Sequence, residues 1–152
     1  MTKRNLSGAK PLTVLCGLLV CCVSAVADSD DLNCSDRNLS GDYGWTAQGL
    51  VSTAPQGPPQ ATFTAVGTAH FDGRGGFTWL EHTIVNGTVL GAYWTPASGT
   101  YTVNANCTGT AVVMTPNSPV PLHLALVVLK RGKEMRSVAD GNATIATYIR
   151  IE

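Results

Sequence analysis

The chain has 152 residues, enough for one domain, and its 10 Lys and Arg residues balance its 10 Asp and Glu residues. Its first 27 residues hold three of the basic residues and none of the acidic ones, so the remainder has a formal charge of 7 − 10 = −3. An acidic remainder argues against a nucleic-acid-binding protein, which needs a basic surface.

The N-terminus has the pattern of a secretory signal peptide. A basic start (Lys3, Arg4, Lys10) precedes an apolar run over residues 11–23, and small residues at 25–27 stand before the acidic stretch DSDD. The apolar run is short for a membrane span of ~20 residues, which makes a signal anchor the less favoured alternative. We therefore predict a signal peptide over 1–27 and export to the extracellular space or periplasm, with no membrane association after cleavage.

Cleavage would leave two cysteines, Cys34 and Cys107. Two cysteines in an exported protein are expected to form a disulfide, whereas a redox pair is the less favoured alternative. The predicted bond ties an N-terminal leader (28–41) to a strand that begins at Thr108. Closing a loop of this length stabilises the fold by roughly 4 kcal/mol if the bond acts by restricting the unfolded chain.

Residues 42–152 form one predicted β-domain, in which short alternating segments follow one another and none has helical periodicity. The segments are separated by turn signals at 54–60 (APQGPPQ), 72–76 (DGRGG), 86–87 (NG), 116–121 (PNSPVP), 131–133 (RGK) and 141–142 (GN). Segments 88–95 and 99–105 are interpreted as two strands or as one long strand bent at residues 96–98.

Eight or nine strands with short connections are expected to pair antiparallel with their chain neighbours. Such a sheet has two exposed edges unless it closes on itself. The sequence therefore predicts an all-β fold, an antiparallel up-and-down barrel, and a two-sheet β-sandwich is the alternative.

The predicted interior holds small residues and aromatic rings. In ATFTAVGTAHF (61–71) one face is built of Ala, Phe and Gly, and small inward residues leave room for one small ligand in an eight-stranded barrel. The candidate ligand-binding residues are Trp45, Gln48, Trp79, Trp94 and Tyr101. The alternative is that the aromatic residues simply fill the core. Segment 122–129 is apolar on both faces, which predicts that the leader, a loop or a second copy in a homo-oligomer covers its outer face.

A resemblance supports the same fold. GTYTVNANCTGT (99–110), with HFDGRGGF before it and LALVVLKRGKEMRSVAD after it, resembles the G-T-Y-x-V-N-x-x-C-x-G-T signature of a family of small exported, mostly bacterial proteins. The resemblance implies a barrel similar to the calycin and allene-oxide-cyclase-like barrels, with a lumen. It implies no catalytic residue, because no position matches a cyclase active-site motif.

One residue is a candidate for catalysis. Glu81 shares its predicted face with Phe77, Trp79 and Val85, and a carboxyl group in such surroundings has a raised pKa that suits a general acid or base. The alternative is that a twist or bulge leaves Glu81 in water. The three histidines, His70, His82 and His123, lack the spacing of a metal motif, and we predict neither a metal ion nor a cofactor.

Five of the seven asparagines after residue 27 stand in N-x-S/T sequons. Asn38, Asn86 and Asn142 are predicted glycosylation sites. The sequons at Asn33 and Asn106 adjoin cysteines, where modification is less expected. The alternative interpretation is structural, since Asn86 is also a turn residue.

Three functions are consistent with these patterns. The favoured one is a secreted, lipocalin-like barrel that binds a small apolar molecule, with polar contacts from Gln48, Glu81 or Tyr101. The first alternative is a cofactor-free cyclase or isomerase that acts on a small hydrophobic substrate in the lumen. The second alternative is a structural or effector-like secreted protein with a filled core.

Overall fold

The structure is a computed structural model that describes residues 33–52 and 57–151. The predicted signal peptide lies outside the described residues, and so do residues 53–56 of the first predicted loop. Two short 3-10 helices, Asp36–Asn38 and Lys130–Gly132, accompany nine strands: β1 (Ser40–Val51), β2 (Ala61–Asp72), β3 (Gly76–Val85), β4 (Thr88–Val89), β5 (Thr95–Val103), β6 (Thr108–Met114), β7 (Leu122–Leu129), β8 (Glu134–Ala139) and β9 (Ala143–Arg150).

Eight of the strands form a closed antiparallel barrel. Each strand pairs with the next along the chain except that β3 pairs with β5 across the short β4, and β9 pairs back to β1 to close the sheet. The two-residue β4 is an extra strand paired with the end of β3. The predicted up-and-down barrel is therefore confirmed. Within residues 33–52 and 57–151, no helix is long enough and apolar enough to cross a membrane.

The sequence prediction failed between β3 and β5. Within the predicted segment 88–95, only Thr88–Val89 and Thr95, the first residue of β5, are in strands, because Gly91 takes a left-handed φ of 74° and the chain bends there. The predicted bend at residues 96–98 lies instead inside β5. Pro96 is tolerated there because β5 begins to pair with β6 only at Ser98, so Pro96 has a strand neighbour on one side alone.

The barrel interior follows the period-2 alternation that the sequence shows. On β2, for example, Ala61, Ala65, Ala69 and Phe71 are buried, whereas the even-numbered residues from 62 to 72 are exposed. On the outer face of β7, His123 and Ala125 are exposed and Val127 is 36% exposed. Among the described residues, neither the leader nor a loop covers this face, and its coverage by a second copy stays a prediction.

One end of the barrel, here called the closed end, is filled with side chains. Tyr43, Phe71, Phe77 and Tyr101 pack there, with the ring of Phe71 at centroid distances of 5.2–5.3 Å from the other three. Leu39, just before β1, is fully buried against them. Edge-to-face and stacked aromatic contacts of this kind stabilise a core beyond the area they bury.

The N-terminal segment 33–39 is fixed across the closed end. The predicted disulfide is present between Cys34 and Cys107. The Tyr101 hydroxyl donates a hydrogen bond to the Leu39 carbonyl at 2.7 Å, and the Asp36 carboxylate accepts one from the Val103 N–H at 2.7 Å. This segment therefore seals one mouth of the barrel.

Candidate functional site

The opposite end of the barrel, the open end, contains a cavity of about 420 Å³. Its walls come from the ends of the strands farthest from Cys34, together with the loop between β6 and β7. Small inward residues leave this space, namely Ala47, Ser137, Ala139 and Ala146. The volume falls in the range of roughly 300–1,000 Å³ that is typical of small-molecule sites.

Strand register places four residues side by side across the floor of this cavity. Tyr148 pairs with Trp45, Trp45 with Gly67, and Gly67 with Glu81. A Cβ atom at Gly67 would lie 2.9 Å from the Trp45 ring and 2.2 Å from the Leu80 carbonyl oxygen. Glycine at 67 therefore lets the Trp45 indole lie across β2 in the direction of Glu81.

Aromatic rings surround this row. The Trp45 ring lies 5.1 Å from the Trp79 ring and 5.9 Å from the Tyr148 ring, measured between centroids. All three residues line the cavity. The open end thus has an aromatic floor, which suits a hydrophobic ligand.

Glu81 is the acidic residue of this cavity, and it points inward as the alternation of β3 predicts. It is 6% exposed, and its Oε1 accepts hydrogen bonds from the Thr115 hydroxyl at 2.8 Å and the Asn117 side-chain amide at 3.0 Å. Burial raises the pKa of Glu81, and the two hydrogen bonds oppose that shift only in part. Such a carboxyl group can bind a polar group of a ligand or exchange a proton with it.

Tyr148 also lines this cavity, at the end of the register row opposite to Glu81. Burial raises the pKa of Tyr148 to about 12, the Ser137 hydroxyl opposes the shift, and the negative charge of Glu81 adds to it. The phenol is therefore neutral at physiological pH.

Three buried polar atoms of the cavity walls lack a hydrogen-bond partner among the described residues: Trp45 Nε1, Trp79 Nε1 and Thr83 Oγ1. Buried polar atoms in folded proteins are nearly always paired, and an exception calls for an explanation such as a catalytic role or a bound water or ion. The open end therefore differs from a packed hydrophobic core, in which buried polar atoms are paired.

The structure brings together three of the residues that the sequence singled out, Trp45, Trp79 and Glu81. It does not bring Gln48, Trp94 or Tyr101 to the cavity. Gln48 is exposed because the alternation that turns Ala47 inward turns its neighbour outward. Trp94 is 48% exposed in the bend before β5, where it packs near His82.

Tyr101 does point inward, but it belongs to the closed end. Its hydroxyl donates to the carbonyls of Leu39 and Asp36, and burial raises its pKa to about 12. Phe77 lies beside it. These residues support the interpretation of aromatic residues as core, whereas Trp45 and Trp79 line a cavity.

Sequence reasoning missed several residues of the site. Thr115 and Asn117, which bind Glu81, come from the loop after β6, where no periodicity reveals which side chains turn inward. Tyr148 and Ser137 were not singled out, although the alternation of β8 and β9 places both in the interior.

The histidines do not assemble a site. Exposed His70 pairs with Asp42 at 2.8 Å on the outer surface, and His82 contacts the Tyr93 carbonyl at 2.6 Å. His123 is exposed on β7. Residues 33–52 and 57–151 contain no cluster of three or more His, Cys, Asp or Glu side chains that could hold a metal ion.

The three predicted glycosylation sites lie at ends of the strands. Asn86 has a left-handed φ of 49° in the turn after β3, and its Oδ1 accepts the Thr62 N–H. Asn38 Oδ1 accepts the N–H of Ser35, the N-cap residue of the first 3-10 helix, and Asn142 accepts a hydrogen bond from the Ser52 N–H at the rim of the cavity. Each amide thus has a structural role, and glycosylation stays a prediction.

A wider concavity of about 920 Å³ lies on the outer surface. Exposed side chains of β2, β3 and β5 border it, together with Met114 and Ile151. The cavity at the open end is the stronger candidate site because a buried carboxyl group and aromatic side chains line it together.

Comparison of the chain with family models, curated proteins and solved structures found no match. The fold and the site therefore define the class by themselves. The protein is a small closed β-barrel with a disulfide-tied plug at one end and a cavity at the other.

Proposed function

We propose that the protein is an exported barrel that binds a small apolar molecule in the cavity of its open end. The cavity of about 420 Å³ carries this proposal, because its walls are mainly apolar and it has one buried carboxyl group to orient a ligand. The disulfide and the N-terminal signal pattern support export, since disulfides persist in oxidising compartments. The resemblance to calycin and allene-oxide-cyclase-like barrels agrees with a ligand in the lumen.

The filled-core alternative explains only half of the barrel. The closed end has packed aromatic rings and paired polar groups, as a core does. The open end combines small side chains with three buried polar atoms that have no partner among the described residues, an arrangement that a packed core avoids. A ligand site accounts for it.

A cofactor-free cyclase or isomerase is the second candidate, and Glu81 is the observation that favours it. A carboxyl group whose pKa is raised by burial accepts a proton more readily than an exposed one and can act as a general acid or base. The cavity would then orient the substrate while Glu81 acts as the acid or base. Loss of turnover in Glu81→Gln with ligand binding retained would favour the enzyme over the binding protein.

The binding proposal is tested with a neutral fluorescent probe, N-phenyl-1-naphthylamine, whose emission rises in apolar surroundings. We expect saturable binding by the parent protein. Ala47→Phe places a ring in the cavity and should weaken binding by about tenfold or more. The matched control is Ala125→Phe, which adds the same ring to the exposed face of β7 and should leave binding unchanged.

Circular dichroism of both variants shows whether the barrel is intact. A probe that fails to bind the parent protein would overturn the proposal. Equal binding by the parent and a folded Ala47→Phe variant would also overturn it, because the probe would then bind elsewhere. Native mass spectrometry of protein purified from its own host would identify a retained ligand by its mass.

A further inference from the structure

The buried carboxyl group of Glu81 has no cationic partner among the described residues of the cavity. The described residues that line the cavity include no Lys, Arg or His. The other buried glutamate, Glu134, shows the contrast, since Lys130 and Arg136 pair with it at 2.7 and 3.0 Å. A buried carboxylate is costly without a positive partner, so Glu81 is a position where a ligand can supply one.

We propose that the ligand of the open end carries an ammonium group that pairs with the Glu81 carboxylate while its apolar body fills the cavity. This inference rests on the proposed function and names the chemical class of its ligand.

The hydrogen bonds of Glu81 orient its carboxylate and leave one oxygen atom for such a partner. Thr115 and Asn117 both donate to Oε1, and neither bond involves Oε2. Donors on one oxygen fix the orientation of the group without neutralising its charge. An ammonium group therefore does not compete with these two bonds, because it can bind at Oε2.

The neighbouring rings favour the same ligand. Trp45, Trp79 and Tyr148 line the cavity beside Glu81, and aromatic faces attract ammonium groups, with tryptophan the strongest. The neutral phenol of Tyr148 adds no competing charge. An anionic ligand, in contrast, would meet the charge of Glu81 with no basic residue to offset it.

Three probes with one apolar body test the inference: 4-phenylbutan-1-amine, 4-phenylbutan-1-ol and 4-phenylbutanoate. Isothermal titration calorimetry at neutral pH should give the tightest binding for the amine, by about tenfold over the alcohol, and the weakest for the carboxylate. Glu81→Gln keeps an oxygen acceptor for Thr115 and Asn117 but removes the charge. It should reduce amine affinity to that of the alcohol and leave alcohol affinity unchanged.

Glu134→Gln is the matched control. It removes a buried carboxylate by the same substitution, but Glu134 lies on β8 at the closed end, away from the cavity residues. All three probe affinities should stay at the parent values in this variant. Thermal melting of both variants establishes that they are folded.

The pH dependence of the parent protein tests the inference without a variant. Protons compete with the amine for Glu81, so amine affinity should rise as the pH increases through the raised pKa of Glu81 and then level off. The charge of Tyr148, whose pKa is about 12, stays constant over this range, and so does the charge of the aliphatic amine. No other lining residue among those described titrates in this range. Alcohol affinity should not follow this curve.

The outcomes separate the two proposals. Equal affinity for amine and alcohol in the parent protein overturns the ammonium inference and leaves the binding function standing. Loss of affinity for both the amine and the alcohol in Glu81→Gln also overturns the ammonium inference, because Glu81 would then only maintain the structure of the cavity. Absence of binding for all three probes and for N-phenyl-1-naphthylamine overturns the proposed function itself.

Discussion

The two ends of the barrel are built from the same alternating strands, but they differ in what the inward positions carry. At the closed end the interior holds Tyr43, Phe71 and Tyr101, and the hydroxyl of Tyr101 is paired with backbone carbonyls of the N-terminal segment. At the open end Ala47 on β1 and Ala146 on β9 are register partners with small side chains, and a cavity remains.

One sheet can therefore enclose a packed hydrophobic core at one end and a cavity at the other. A barrel of eight strands can just be filled by its side chains, so replacing large residues with alanine over part of its length leaves a pocket. The closed end then supplies the stability that the open end lacks. We expect mutations at the closed end to affect mainly the free energy of unfolding. Mutations at the open end should affect mainly the affinity for the ligand.

The largest expected effect is at the closed end. Cys34→Ser removes the disulfide to Cys107, which spans 73 positions in the sequence. The free energy of unfolding should fall by about 4 kcal/mol, because the unfolded chain gains conformational freedom. Urea denaturation followed by circular dichroism measures it, while binding of N-phenyl-1-naphthylamine should persist.

Chemical reduction of the parent protein is the control for this prediction. It should reproduce the loss of stability, whereas the variant should not respond to the reductant. Complete loss of strand signal in Cys34→Ser would contradict the view that the core alone maintains the barrel. Loss of probe binding in a folded variant would show that the two ends are coupled.

A smaller effect is expected from Tyr101→Phe. The ring stays in the aromatic cluster, but the Leu39 carbonyl loses the Tyr101 hydroxyl as its donor, whereas the Asp36 carbonyl keeps the Leu39 N–H. Leaving such groups unpaired costs about 1–3 kcal/mol, which denaturation will show as a lower free energy of unfolding. Tyr93→Phe changes a side chain that is 68% exposed and serves as the control. Probe binding that falls along with stability would place Tyr101 in the ligand site after all.

The barrel could be predicted from the sequence because its turns are strongly marked. The Asn86-Gly87 dipeptide and the glycine-rich turn over residues 72–76 both separate alternating segments, and strand neighbours in the chain became strand neighbours in space. The prediction failed at Pro96, where a bend between strands was predicted. Pro96 lies inside β5, because the side of β5 that faces β6 is unpaired at this residue.

The candidate site was only partly predictable, for a geometric reason. Alternation tells which residues of a strand turn inward, and it correctly turned Trp79, Glu81 and Tyr101 inward. It does not tell how deep each residue lies along the barrel axis, because depth depends on the register between strands. Trp79 and Tyr101 therefore looked alike in the sequence, yet they belong to opposite ends. Thr115 and Asn117 follow a strand, where alternation no longer applies.

The smallest expected effect is at the open end and has the opposite sign. Thr83→Val replaces a buried hydroxyl that has no partner among the described residues with a methyl group. Removing an unpaired polar group should leave the free energy of unfolding unchanged or raise it by up to about 1 kcal/mol. Differential scanning calorimetry will show this as an equal or higher melting temperature.

Thr115→Val is the matched comparison within the same cavity. It makes the same change, but the Thr115 hydroxyl donates to Glu81, so the variant should lose about 1–3 kcal/mol. Equal destabilisation by the two variants would mean that ordered water pairs with the Thr83 hydroxyl, and the open end would then be a hydrated pocket with its polar groups satisfied. A stabilised Thr83→Val beside a destabilised Thr115→Val would show that the cavity retains polar groups at a cost to the fold, as a ligand site does.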